Sequence, residues 1–76
     1  MLGKRIREQR IEKGISLTQF AKQSGISKSY LSNLERGLQQ NPSIEVLKKI
    51  SEYLNVDIEI LINEIGITKQ NKEDYQ

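Results

Sequence analysis

Between Gly25 and Gly37 the chain reads GISKSYLSNLERG, a run of short hydroxyl and amide side chains flanked by cations. On a helix turning about 100° per residue, Lys28, Ser32, Arg36, Ser29 and Asn33 fall within one arc of about 140°, while Leu31 and Leu34 point the other way. Short side chains let a helix axis sink close to base-pair edges. Asn can bond adenine through two hydrogen bonds, Lys can reach guanine O6 and N7, and Ser can donate or accept. A merely solvated face would more naturally carry Ala, Glu and Lys where this one has Ser and Asn. The pattern implies contact with a nucleic acid once the surrounding helices are taken into account.

Other chemistry finds few residues to work with. The chain has no His and no Cys, which removes the commonest general base, the commonest metal ligand and any thiolate or disulfide. Only Asp57 and Asp74 represent aspartate, and no catalytic constellation can be assembled from what remains. The expectation is a non-enzymatic protein without metal or cofactor. No apolar run approaches the roughly 18 residues of a membrane helix, and no secretory leader is recognisable. A soluble, cytoplasmic protein with no membrane partner is therefore expected.

The formal net charge is only +2, but it is unevenly placed. Residues 1–36 hold eight Lys and Arg against three Glu, a charge of +5, and residues 37–76 hold four Lys against seven acids, a charge of −3. Such asymmetry is expected where one face meets a polyanion.

At 76 residues the chain makes one small domain whose packing must hold it together without staples. Its punctuation predicts an all-α fold of five short helices. The first runs from about Gly3 to Lys13 and stops at Gly14. Ser16 stands three before Gln19, the capping-box spacing, and opens a second helix, LTQFAKQS, that buries Leu17, Phe20 and Ala21. Ser27 caps a third helix, Lys28 to Arg36, closed by Gly37. After a polar loop, LQQNP, Ser43 caps a fourth helix with an apolar stripe at Ile44, Leu47, Ile50 and Leu54. Asp57 caps a fifth, with Ile58, Leu61, Ile62 and Ile65 on one side. Residues 1–65 are thus expected to form the domain and residues 66–76 a frayed polar tail.

Residues 17–36 follow the order short helix, three-residue turn with Gly, short helix, which is a helix-turn-helix. In that frame the second helix lies across the DNA backbone with its free N–H groups aimed at phosphate. Thr18 and Gln19 are placed to bind that phosphate, while Lys22, Lys28 and Arg36 add charge along the groove. Gln39, Gln40 and Asn41, in the loop after the third helix, can also reach phosphates. Arg10 shares the inward stripe of Leu2 and Ile6, and Glu35 lies at the edge of the buried side of its helix. The simplest arrangement pairs the two as scaffold.

The run IREQRIEKGISLTQFAKQSGISKSYLSNLERG resembles the Cro/CI-like (Xre-type) helix-turn-helix regulators of bacteria and phage. It shares their Arg in the first helix, Leu-Thr-Gln opening the second and Glu-Arg-Gly ending the third. The likeness extends from residue 1 to about residue 64. It implies a five-helix, lambda-repressor-like bundle whose third helix enters the major groove. Ser27, Lys28, Ser29, Tyr30, Ser32 and Asn33 would then meet bases or neighbouring phosphates, and Arg10 with Glu35 would match the family's structural ion pair. It also implies a double-stranded DNA operator as partner, a homodimer reading two half-sites about 34 Å apart, and a repressor that competes with polymerase for promoter DNA. Some repressors of this kind carry a further C-terminal helical region that oligomerises and binds an antirepressor. A natural one-domain form would instead resemble the controller proteins of restriction-modification systems. The fold also serves protein-interaction modules such as antitoxins, although the eleven residues from Gly66 make a short toxin-binding extension. The dimer surface is open between two readings: Ile60, Ile62, Ile65 and Ile67 either meet a symmetry mate or, for Ile62 and Ile65, close the chain's own core.

Overall fold

The computed structural model describes residues 1–65, which form five helices and no strand: α1 (Leu2–Glu12), α2 (Leu17–Ser24), α3 (Lys28–Glu35), α4 (Ile44–Leu54) and α5 (Ile58–Ile65). The tail expected over 66–76, with Ile67, lies outside the described residues. Three serines start three helices. Ser16, Ser27 and Ser43 accept from the amides of Gln19, Tyr30 and Val46 at 3.0, 3.1 and 3.2 Å, each such cap contributing about 1 kcal/mol. Asp57 does the same for α5, accepting from the Glu59 amide at 3.0 Å. The capping box at α2 is only half made, since among the described residues the Gln19 side chain does not bond back to Ser16. The second and fourth helices end on left-handed residues, Gly25 (φ 78°) and Asn55 (φ 57°).

The helices close a ring, with α1 against α3 and α5, α4 against α5 and α2, and α2 against α3. Ile6, Phe20, Leu31, Leu34, Leu47, Ile50, Leu54 and Leu61 fill its centre, all but inaccessible to solvent. Tyr53 of α4 stacks on Phe20, ring centres 5.3 Å apart, and its hydroxyl donates to Gln23 of α2. The stripe expected along α4 loses its first member. Ile44 is 60% exposed, because the first helical position projects past the ring, and Val46 packs against the core instead. Leu17 and Ala21 touch the core but are only partly buried. On α5, Ile58 and Ile65 pack inward, whereas Ile60 and Ile62 are each 41% exposed.

Two features of α1 set the position of α3. Gly3 is buried against the last turn of that helix, where a Cβ would stand 2.2 Å from the Leu34 carbonyl oxygen and 2.8 Å from that of Glu35. Two turns of α1 further on lies an ion pair. Arg10 Nε donates to Glu35 Oε2 at 2.7 Å and Nη2 to Oε1 at 3.0 Å, with side chains only 13% and 5% exposed. The third guanidinium nitrogen, Nη1, donates to the carbonyl of Ile15 at 2.8 Å, just before the α2 cap. The bonds to Glu35 outweigh desolvation and raise the Arg10 pKa above its ordinary value. A second ionic link joins α1 to α5. Glu64 accepts from the N-terminal ammonium at 2.7 Å and from Arg5 Nη2 at 2.9 Å, and those hydrogen bonds hold its carboxyl below the usual 4.5.

Gly3→Ala should lower stability by about 1–3 kcal/mol through overpacking against a helix backbone that has no side chain to move aside, read from urea unfolding. Arg10→Met strands the Glu35 carboxylate and should cost about 3–5 kcal/mol, while adding Glu35→Leu should restore much of the loss. The stabilisation from Glu64 is complete above pH 4.5, where the unfolded chain is also ionised, and is lost as pH falls through the depressed folded value. The gap in urea midpoint between wild type and Glu64→Gln should therefore be constant near neutrality and close progressively in acid.

Candidate nucleic-acid interface

The turn between α2 and α3 is Gly25-Ile26-Ser27. Gly25 adopts the left-handed conformation and its N–H closes α2 on the Ala21 carbonyl, a geometry a Cβ would strain. Ile26 is 8% exposed and anchors the turn to the core, and Ser27 restarts the chain as α3. With Leu31 and Leu34 buried, the rotation of α3 is fixed and its polar arc must face outward.

That arc opens onto one recess of about 350 Å³, lined by Leu17, Lys28, Ser29, Ser32, Asn33 and Arg36. No acidic residue is among these, so two cations set the potential there. Lys28, Ser29, Asn33 and Arg36 are exposed and Ser32 is half-buried. Arg36 caps α3 rather than belonging to it, and its amide donates to the Ser32 carbonyl at 3.0 Å. The Asn33 backbone carbonyl accepts from the amides of Leu38 and Gln39 at 2.8 and 3.1 Å, which ties the following loop to the recess while its side-chain amide stays exposed.

The remaining candidates divide by environment. The Ser27 hydroxyl accepts the Tyr30 amide, and the Tyr30 ring is partly buried against the core, so both carry structural contacts at the start of α3. Thr18, Gln19 and Lys22 are exposed on α2. The Gln19 amide is held by Ser16, which leaves its side chain available in the first turn. In the loop, Gln39 Oε1 accepts from the Asn41 amide at 3.1 Å and Gln40 Nε2 donates to the Gly37 carbonyl at 3.0 Å. Those two side chains order the loop, and Asn41 is exposed beside them. Arg10 and Glu35 stand behind the recess, joined to each other and away from its opening.

Two residues carry more than the sequence suggested. Leu17, expected in the core, forms the apolar part of the recess wall; its place directly after the Ser16 cap, at the rim of α2, is the signal that could have shown it. Arg10 pairs with Glu35 as expected, and it also holds the Ile15 carbonyl, a contact to backbone that no residue type announces.

Residues 6–61 match the helix-turn-helix family model. The chain is 52% identical over 64 residues to the HTH-type transcriptional regulator SinR of Bacillus licheniformis, covering 84% of this chain and 58% of that protein. Among solved structures, SinR, the master regulator for biofilm formation, in complex with DNA superposes with a TM-score of 0.79 at 50% identity, covering 82% of this chain and 98% of that one. A complex of SinR with the SinI protein gives the same TM-score and identity over 84% of this chain and 62% of that one. The chain thus spans little more than half the length of the curated SinR it matches, and the shared part contains the recess and both helices that form it. On the family match, the likeness of sequence and the superposition together, the chain belongs to the helix-turn-helix family.

Proposed function

We propose that this chain is the sequence-reading module of a transcriptional repressor, inserting α3 into the major groove of its operator. The observation that carries the reading is the recess, in which Lys28, Ser29, Ser32, Asn33 and Arg36 converge without an acidic neighbour. Lys28, Ser29, Ser32 and Asn33 face base edges, with Ser27 and Tyr30 at the start of α3 beside the flanking phosphates. Thr18, Gln19 and Lys22 receive one phosphate at the N-terminus of α2, where free amides favour an anion. Arg36 and the loop residues Gln39, Gln40 and Asn41 hold the backbone on the other side. The solved SinR–DNA complex, half identical in sequence, supports the same mode of use here.

A homodimer on a two-fold symmetric operator follows from the economy of reading two half-sites about one helical turn apart. The exposed Ile60 and Ile62 of α5 supply an apolar surface for the symmetry mate. The SinR–SinI complex supports a protein antagonist of the antirepressor kind as a further partner of the regulator.

Selection from a randomised duplex pool at two salt concentrations tests the reading. A two-fold symmetric site should be enriched, with affinity falling steeply as salt rises. On that site Lys28→Ala and Asn33→Ala should each cost about 1–3 kcal/mol, and far less on random DNA. Gln19→Ala should weaken both duplexes alike. Equal losses on both duplexes for Lys28 and Asn33 would remove them from base reading, and absence of any enriched site would overturn the function.

A further inference from the structure

Leu17 is the one large aliphatic side chain in the wall of an otherwise polar recess. It occupies the first position of α2, fixed by the Ser16 cap, and is packed on one side against the core while only partly buried. Its neighbours across the recess are the side chains assigned above to base edges. Of the four bases, only thymine presents an apolar group in the major groove, the C5 methyl; the other edges offer donors and acceptors alone. An aliphatic surface there has no hydrogen bond to give and gains only by covering another apolar group.

We infer that Leu17 is a specificity-determining residue that receives the C5 methyl of a thymine in each half-site, beside the bases met by Lys28 and Asn33. The inference rests on the DNA-reading function proposed above and adds a contact of different chemistry to it. The recess then discriminates in two ways: its polar rim selects by hydrogen bonding, and its Leu17 wall selects thymine over cytosine at one position by burying a methyl group. The core side of Leu17 keeps the wall rigid, so the methyl meets a preformed surface.

The test replaces each thymine of the selected operator in turn by deoxyuridine, which removes the methyl and leaves every hydrogen-bonding group. One symmetry-related pair of positions should weaken wild-type binding by about fourfold per half-site, the value of burying one methyl. With Leu17→Ala, and more mildly with Leu17→Val, which removes a single methylene and keeps the core contact, that sensitivity should shrink while other positions behave as before. A scan with no methyl-sensitive thymine overturns the inference and leaves the function standing. Undiminished sensitivity in a folded Leu17 variant also overturns it. Failure of the pool to yield any operator overturns both.

Discussion

A single guanidinium fixes the distance between the two working helices. Arg10 reaches from α1 to the carboxylate of Glu35 at the end of α3 and to the carbonyl of Ile15 at the entrance of α2. Its planar fork can satisfy both at once because the donors leave in different directions. Both side chains are largely shielded from solvent, so these charge-assisted bonds are strong, and losing one partner would leave a poorly solvated charge behind. The backbone of α3 is held at the same end by the close crossing at Gly3. With Leu31 and Leu34 setting its rotation, those two contacts place the end of α3 and the outer face that it carries. Any displacement of α3 would carry Lys28, Ser29, Ser32 and Asn33 with it as one unit.

Against that rigid back, the front of α3 is built from side chains that lose little on binding. Serine has one rotatable bond to fix and asparagine two, so ordering them costs less than ordering long polar chains. Lys28 and Arg36 bracket the arc and supply attraction over a longer range, which salt screens. The loop amides of Gln39 and Gln40 are already engaged with backbone, so this edge of the surface is organised before any partner arrives. The apolar wall at Leu17 completes a recess whose parts differ in chemistry but share one frame.

Much of this was legible in the sequence, because the signals were local. Serine caps and left-handed stops act on the next few residues, and they placed α2 and α4 to the residue. Helical rotation then placed Lys28, Ser29, Ser32, Asn33 and Arg36 on one face. Where the reading failed, the reason was tertiary. The rotation of Ile44 puts it on the α4 stripe, but whether a stripe position is covered depends on what lies beyond the helix end, and among the described residues it is left 60% exposed. Leu17 looks like core by type and spacing, yet the gap between α2 and α3 exposes one side of it. The backbone contact from Arg10 to Ile15 has no sequence signature because every residue has a carbonyl. The expected reciprocal bond from Gln19 failed to form although its spacing fits, since an exposed amide gains little by bonding protein in place of water.

DNA meeting the recess between α2 and α3 would leave a mark on the backbone amides around it. The most direct measurement is a map of backbone amide shifts by NMR as an operator duplex is added. The largest changes should fall in the first turn of α2, in Lys28–Arg36 and in the adjoining loop, with α5 shifting only where a symmetry mate meets it and the core of α4 nearly silent. Large changes centred on α4 or α5, with α3 unperturbed, would contradict that mode of binding.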